Sequence, residues 1–327
     1  MGANGASPTV AVTDYTFDSL DTEQAILGPL GVRVVGRRCQ STPEIIDLVG
    51  EADGVITQFA PVTAAVINSM RKARVIVRYG IGVDNVDLDA ARARGIPVCN
   101  IPTYCIDEVA DHTLALLLGL TRQIVSHANH IRNGQWGGAT KLPSMHALKE
   151  LTVGLVGFGR IGREVAARLR AFKCAVLVAD PVVAPADVER TGCTPVSLEE
   201  LLARCQVISL HCPSTPATRR LIDRTALAKM RPGALLINVA RGDVVDSAAL
   251  VEALQSGRLG GAALDVFDPE PIPVDHPIRQ MSNVILTPHI ASASVPAATA
   301  LRTMAAETVA KALRGEPLTT VVNGVKA

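Results

Sequence analysis

Residues 152–162, TVGLVGFGRIG, join a short apolar run to a glycine-rich turn. The first five residues predict a buried strand, and a helical pattern follows the turn over residues 164–171. In a dinucleotide-binding turn of this spacing, Gly157 permits the tight bend, Gly159 lets the backbone approach a pyrophosphate, and Gly162 lets the helix pack on the strand. The phosphates would lie at the helix N-terminus, where backbone N–H groups and the helix dipole favour negative charge.

An acidic residue follows at the position that discriminates between dinucleotides. The next predicted strand, residues 175–179, runs into Asp180, eighteen residues beyond Gly162. A carboxylate there accepts hydrogen bonds from the adenosine ribose and repels a 2′-phosphate, so the sequence predicts NAD as the cofactor. The cofactor-binding candidates of this segment are Gly157, Phe158, Gly159, Arg160, Ile161, Gly162 and Asp180.

Short β-branched runs alternate with helical patterns on both sides of this turn, which indicates an α/β protein with parallel sheets covered on both faces. One long helix is predicted over residues 107–132 and another after residue 295. The interpretation is two doubly wound parallel-sheet domains: a flavodoxin-like substrate domain (residues 1–104 plus 292–327) and an inserted Rossmann NAD domain (residues 105–291). The predicted strands are residues 9–12, 32–35, 54–57, 75–77, 97–100, 152–156, 175–179, 207–210, 234–238 and 262–266.

The charge and the amino-acid composition of the chain limit the kinds of partner that it can bind. The 327 residues carry a formal charge of +1 and are 48% hydrophobic but only 3% aromatic. This balance argues against nucleic-acid and membrane-surface binding, and it predicts a soluble globular protein. Seven scattered cysteines with no C-x-x-C pair fit reduced thiols, and the N-terminus shows no signal-peptide pattern, so a cytoplasmic location is expected. No cluster has metal-ligand spacing, so no metal is expected.

Three chemically capable side chains follow predicted strands, where ligands bind in open α/β sheets. Arg241 could hold a substrate carboxylate with a bidentate fork. His289 could exchange a proton with the substrate oxygen, and Glu270 could bond the other ring nitrogen and fix the tautomer. Taken singly, each has an ordinary structural interpretation as a strand end, a loop carboxylate or an interior histidine. Their coincidence with the dinucleotide fingerprint favours a 2-oxoacid reductase.

Five stretches in this order make the chain similar to a known family over nearly its whole length. The sequence resembles the D-isomer-specific 2-hydroxyacid dehydrogenases. The stretches that carry the resemblance are VRYGIGVDNV (77–86), GFGRIG (157–162), NVARGD (238–243), GAALDVFDPEP (261–271) and TPHI (287–290).

The resemblance implies roles for further residues. It implies Arg241, Glu270 and His289 as the catalytic trio, and a homodimer formed through the helix and loop after residue 107. In the cofactor site, Asp265 would face the nicotinamide amide and Cys212-Pro213 would line the adenine side, while His211 would meet the cofactor through its backbone. Thr218, Val239 and Ala240 are further cofactor-binding candidates. The substrate carboxylate would receive backbone N–H groups from Tyr79, Gly80, Ile81 and Gly82.

Substrate identity stays open at this stage, beyond a small 2-oxoacid or 2-hydroxyacid. The chain is most similar to the 3-phosphoglycerate dehydrogenase and C-terminal-binding-protein-like branches, but Gln58 stands where the former carry a phosphate-binding arginine. Gln58 and Arg78 are candidate substrate contacts. The competing function is a NAD(H)-sensing interaction protein with little turnover, and the presence of the complete trio favours the enzyme.

Overall fold

The computed structural model describes residues 7–139 and 145–326, which form two compact units: residues 7–104 with 294–326, and residues 105–139 with 145–293. The sequence places the second joint at residue 291, two residues earlier. Residues 1–6, 140–144 and 327 of the predicted domains lie outside the described part of the chain.

The first unit is a five-stranded parallel sheet in the order β2-β1-β3-β4-β5. This order is the flavodoxin-like doubly wound arrangement, which the sequence predicts. Its strands are β1 (Thr9–Val12), β2 (Arg33–Gly36), β3 (Gly54–Thr57), β4 (Ile76–Arg78) and β5 (Val98–Cys99). Its helices are α1 (Asp21–Leu27), α2 (Thr42–Val49), α3 (Ala64–Ser69), α4 (Leu88–Ala93) and, near the end of the chain, the helix Val295–Arg314.

The second unit is a seven-stranded parallel sheet that contains the glycine-rich turn. Its strands are β6 (Thr152–Val156), β7 (Ala175–Ala179), β8 (Thr194–Pro195), β9 (Val207–Leu210), β10 (Ala234–Asn238), β11 (Leu259–Leu264) and β12 (Val284–Leu286). Its helices are α5 (Ile106–Thr121), α6 (Ile124–Arg132), α7 (Arg160–Ala171), α8 (Pro185–Glu189), α9 (Leu198–Arg204), α10 (Arg224–Lys229) and α11 (Ser247–Gln255). The helix at Val295–Arg314 is α12.

The strand order of the second sheet, β12-β11-β10-β9-β6-β7-β8, reverses direction between β6 and β9. Such a reversal opens a crevice beyond the carboxyl ends of the strands, which is where ligands bind in doubly wound sheets. Neighbouring residues on β6 face opposite apolar clusters: Leu155 packs with Val176 and Val207 on one face, and Val156 packs with Leu177 and Ile208 on the other. Burial on both faces explains the near-continuous apolar strands and confirms the predicted fold class.

The single helix predicted over residues 107–132 was wrong. Two helices occupy this stretch, because Gln123 adopts a left-handed conformation (φ 54°) between α5 and α6. The Gln123 side chain donates a hydrogen bond of 2.8 Å to the Leu120 carbonyl, which also accepts from the Gln123 backbone (3.3 Å). The residue thus closes α5 and starts α6 in a new direction.

None of the helices in the described part of the chain combines the length and apolarity that a membrane span requires. In residues 7–139 and 145–326, no three His, Cys, Asp or Glu side chains converge as a metal-ion site would need.

Candidate active site

The turn after β6 can be built only with glycine at two positions. Gly157 has a φ of 97°, and a Cβ there would lie 2.7 Å from both the backbone nitrogen of Cys212 and the carbonyl carbon of His211. A Cβ on Gly162 would lie 2.5 Å from the carbonyl oxygen of Gly157. These contacts are backbone contacts that cannot yield, so the turn, the start of α7 and the end of β9 pack closely.

The start of α7 fits a dinucleotide phosphate. Gly159 is its N-cap and supplies no side-chain acceptor, so the N–H groups of the first turn, which begins with Arg160 and Ile161, are not capped by a side chain. A Cβ built on Gly159 meets nothing within 4 Å, which leaves space over the turn. An N-terminus with open space above it is the arrangement that binds phosphate groups.

His211, beside this turn, has a buried ring. Its Nε2 lies 2.9 Å from the hydroxyl of Ser209, while its Nδ1 has no hydrogen-bond partner among the described residues. Burial lowers the pKa of His211 to about 4, so the ring is neutral near pH 7. A buried unpaired ring nitrogen at the edge of the cofactor turn also fits a site that receives a polar ligand.

Asp180 connects the end of β7 to the glycine-rich turn. Its Oδ2 accepts a hydrogen bond of 2.7 Å from the backbone of Phe158, and its Oδ1 accepts from the backbones of Val182 (2.8 Å) and Val183 (3.1 Å). The carboxylate is therefore held in one orientation, with lone pairs remaining on its oxygens. Its contact with a ribose stays a prediction.

The other cofactor candidates follow β9 and β10 directly. Cys212 is buried, and burial raises the pKa of its thiol to about 11, so the sulfur acts as a packing group. Thr218 donates to the carbonyl of Pro213 (2.5 Å), which closes the loop after β9. Val239 and Ala240 follow the last residue of β10, Asn238. Contacts of these residues with a cofactor stay predictions.

Asn238, the last residue of β10, shapes the turn that presents Arg241. Its side-chain nitrogen donates to the Arg241 carbonyl (2.8 Å), and its side-chain oxygen accepts from the Ala240 backbone (3.0 Å). Sequence reasoning missed this residue. An Asn that ends a buried strand and precedes a turn is the available signal, since Asn side chains commonly bond the backbone two or three residues on.

Glu270 and His289 meet, as the sequence predicts. The Nδ1 of His289 lies 2.8 Å from Oε2 of Glu270, and Oε1 of Glu270 accepts a hydrogen bond of 2.8 Å from the Phe267 backbone. Burial alone would raise the pKa of Glu270, but the hydrogen bond and charge of His289, the Phe267 N–H and the charge of Arg241 together lower it. Glu270 is therefore ionised near pH 7 and accepts from Nδ1–H of His289. Proton exchange by the Nε2 of His289 stays a prediction.

Asp265, at the end of β11, lies behind His289. Its side chain is 1% exposed, and its carboxylate bonds to the loop after β12. The carbonyl of Asp265 accepts a hydrogen bond of 2.7 Å from the backbone of His289, which has a left-handed φ of 52°. The expected contact of Asp265 with the nicotinamide amide stays a prediction.

In the first unit, the side-chain amide of Gln58 forms hydrogen bonds with Thr16, in the loop after β1. Its oxygen accepts from the Thr16 backbone (2.8 Å), and its nitrogen donates to the Thr16 hydroxyl (3.2 Å). Arg78 is buried, donates from Nε to the Gln58 carbonyl (3.1 Å), and has its guanidinium 5.8 Å from the centre of the Phe59 ring. Asp14, which accepts from three backbone N–H groups at residues 58–60, was missed by sequence reasoning.

The loop of residues 79–82 is fixed by a buried polar cluster that sequence reasoning also missed. The Tyr79 hydroxyl donates to Glu23 (2.8 Å), and Glu23 accepts two hydrogen bonds from Arg302 on α12. Gly80 has a φ of 146°, and a Cβ there would overlap the Arg78 guanidinium. The carbonyl of Ile81 accepts from the side chain of Asn100 (2.7 Å). The binding of a substrate carboxylate by this loop, including Gly82, stays a prediction.

Comparison with known proteins identifies the second unit. Residues 114–291 match the family model described as the NAD-binding domain of the D-isomer specific 2-hydroxyacid dehydrogenases. The chain belongs to this family. Because the matched region includes the glycine-rich turn and the Arg241, Glu270 and His289 segments, NAD is the cofactor of this unit.

Several relatives agree with this assignment. D-3-phosphoglycerate dehydrogenase of Mycobacterium leprae is 43% identical over 281 residues, which cover 86% of this chain and 53% of that protein. The structure of a D-lactate dehydrogenase from Aquifex aeolicus, complexed with NAD and lactic acid, is similar with a TM-score of 0.85 at 29% identity, over 94% of this chain and 96% of that one. A glyoxylate reductase from Paecilomyes thermophila has a TM-score of 0.88 at 28% identity, over 97% and 98% of the two chains. The chain spans about half the length of the curated relatives it matches.

Proposed function

We propose that this chain catalyses the reversible, NAD-dependent interconversion of a 2-oxoacid and a D-2-hydroxyacid. The observation that carries the proposal is the 2.8 Å contact between His289 Nδ1 and Glu270 Oε2 in the unit that contains the NAD-binding turn and Arg241. The names of the relatives, which include lactate, glyoxylate and phosphoglycerate enzymes, support the substrate class, and the D configuration follows from the family.

Three side chains divide the work. Arg241 binds the substrate carboxylate through its guanidinium fork and orients the carbonyl. His289 gives a proton to the carbonyl oxygen during reduction and accepts it from the hydroxyl during oxidation. Glu270 keeps the ring of His289 in the tautomer with Nδ1–H and stabilises the protonated imidazole. When bound, the nicotinamide cofactor supplies or receives the hydride.

The tail of the substrate is the least constrained part of the proposal. A phosphate tail needs a charged fork, but Gln58 is neutral and its amide is hydrogen-bonded to Thr16. Arg78 is buried against Gln58 and Phe59. These contacts favour a substrate with an uncharged tail over 3-phosphohydroxypyruvate.

A homodimer is the proposed assembly. The first turn of α6, its last turn and the loop beyond it expose apolar side chains: Ile124 (55% exposed), Val125 (45%), Ile131 (50%) and Trp136 (93%). An exposed group of large apolar residues supports a contact with a second copy, in the region where the resemblance places the dimer interface.

The test of the function is NADH oxidation by the purified protein with a panel of 2-oxoacids. The panel contains glyoxylate, pyruvate, hydroxypyruvate, 3-phosphohydroxypyruvate and bulky analogues, and NADPH is run in parallel. Turnover with an uncharged-tail acid that exceeds turnover with the phosphorylated one supports the proposal. Tight NADH binding without turnover on any acid would contradict it and favour the cofactor-sensing alternative.

Cofactor selectivity gives a separate prediction at Asp180. Asp180→Asn removes the charge that repels a 2′-phosphate and keeps one of the two acceptor oxygens that bond the backbone N–H groups. We expect the ratio of kcat/KM for NADPH to that for NADH to rise about tenfold, corresponding to about 1.4 kcal/mol. Asp187→Asn, an equal charge change on α8, is the control and should leave the ratio unchanged. An unchanged ratio in Asp180→Asn would refute the ribose role.

A further inference from the structure

Three polar side chains lie in a chain behind the backbone of His289. The hydroxyl of Thr287 lies 2.6 Å from Oδ1 of Asp265, and Nε2 of His112, on α5, lies 3.2 Å from the same hydroxyl. His112 Nε2 is also 3.7 Å from Asp265 Oδ1. These three residues, termed here the Asp265 network, come from the end of β11, the end of β12 and the middle of α5.

The direction of each hydrogen bond follows from the donors present. A carboxylate oxygen accepts hydrogen bonds, so Thr287 donates its single hydroxyl hydrogen to Asp265. The hydroxyl oxygen must then accept from His112, which requires a hydrogen on Nε2 of that ring. His112 therefore orients the Thr287 hydroxyl toward Asp265, and the ring is fixed in the Nε2–H form or is protonated.

The network holds the backbone that carries His289. Oδ1 of Asp265 accepts from the Ile290 backbone (2.9 Å), and Oδ2 accepts from the Ala291 backbone (2.9 Å). The Asp265 carbonyl accepts from the His289 backbone (2.7 Å). His289 has a φ of 52°, a conformation that residues with a Cβ adopt only when their surroundings impose it. The hydrogen bonds of Asp265 to residues 289–291 supply that constraint.

We propose that Thr287 and His112 are positioning residues that hold the imidazole of His289 in hydrogen-bond contact with Glu270. They do so by orienting Asp265, whose carboxylate fixes the two residues after His289. The proposal rests on the proposed dehydrogenase function for its kinetic consequence. Its structural consequence, protection of the loop after His289, does not depend on turnover.

The test uses two matched pairs of variants in the full chain. Thr287→Val is nearly isosteric but lacks the hydroxyl, while Thr287→Ser retains it. His112→Leu removes the donor, while His112→Gln retains a side-chain N–H. Hydrogen–deuterium exchange is measured on a peptide covering residues 287–293, with a peptide covering β6 as the internal reference. Steady-state kinetics on the best 2-oxoacid of the panel give kcat and the KM for NADH.

We expect exchange at Ile290 and Ala291 to accelerate about tenfold in Thr287→Val and His112→Leu, as loss of one hydrogen bond predicts, and kcat to fall by a similar factor. Thr287→Ser and His112→Gln should retain most of both properties.

Wild-type exchange in both Thr287→Val and His112→Leu would overturn the proposal, and so would faster exchange with an unchanged kcat in an active enzyme. If the wild-type protein turns over none of the acids, the proposed function fails while the exchange data still decide whether the network holds the loop. If Thr287→Val does not fold, the His112→Leu and His112→Gln pair decides the question alone.

Discussion

Replacing His289 by Asn is expected to lower kcat about 10²–10⁴-fold, the usual contribution of a positioned acid–base group. Asn is similar in size but cannot exchange a proton near neutral pH. The contact that motivates the prediction is the 2.8 Å pair of His289 Nδ1 and Glu270 Oε2. The glycine-rich turn is built from other residues, so NADH binding should be retained. The measurements are kcat on the preferred 2-oxoacid and the Kd for NADH from fluorescence.

Two companion variants make this result interpretable. His130→Asn, on α6, makes the same chemical change outside the proposed site and should leave kcat unchanged. Glu270→Gln keeps a side-chain oxygen near Nδ1 but removes the charge that stabilises the imidazolium, so its kcat should fall less than that of His289→Asn. Wild-type turnover in His289→Asn would remove His289 from the mechanism.

The strands were well predicted because each is short, apolar and ended by a turn. The sequence and the structure agree on the residues of β1, β3, β6, β7, β9 and β10. All six are buried along their length except at the first residue of β1, β6 and β7. A strand buried on both faces needs apolar residues at successive positions, and the sequence shows this as an apolar run. β8, only two residues long and ending at Pro195, has no such signal and was missed.

The break between α5 and α6 could not be predicted by the same reasoning. The break falls at Arg122, Gln123 and Ile124, and none of these residues is Gly or Pro. The apolar periodicity that predicts a helix continues through the break. Gln123 adopts a left-handed conformation that is routine for Gly and occasional for Asn and Asp, so its residue type carries no local signature of the break.

The candidate site divides in a similar way. Arg241, Glu270 and His289 became candidates because each follows a predicted strand of one sheet, and the carboxyl ends of parallel strands share an edge. The Asp265 network was not found, because it depends on His112 meeting Thr287 across 175 residues of sequence. The bond between Glu23 and Arg302 spans 279 residues. Such pairings are set by tertiary packing, and no spacing rule indicates them.

The second large effect is expected at Gly242, which follows Arg241 directly. A Cβ at this position would overlap the carbonyl group of Phe267 and lie 2.6 Å from the backbone nitrogen of Asp268. The obstacle is backbone on the segment that leads to Glu270, and the Phe267 N–H itself donates to Glu270. Glycine is therefore required because two backbone segments, one carrying Arg241 and one carrying Glu270, touch here.

Gly242→Ala should push these segments apart. A substitution that overlaps backbone atoms in this way is severely destabilising. We expect it to lower the free energy of unfolding of the second unit by about 3–5 kcal/mol. For a unit of this size, that loss lowers Tm by roughly 10 °C. We also expect kcat to fall at least tenfold at temperatures where the protein stays folded, because a displacement of about 1 Å between catalytic groups is costly.

Gly257→Ala is the matched control for this prediction. Gly257 lies in the same unit, just after α11, with a φ of 71° and nothing within 4 Å of a Cβ. Alanine there costs only the left-handed conformation, about 1–2 kcal/mol, and leaves the site untouched. Gly242→Ala should therefore lower Tm more than Gly257→Ala does, and of the two variants it alone should have a reduced kcat. Equal Tm values with wild-type kcat in both would show that the two segments separate without consequence, and that Arg241 and Glu270 need not be held at a fixed distance.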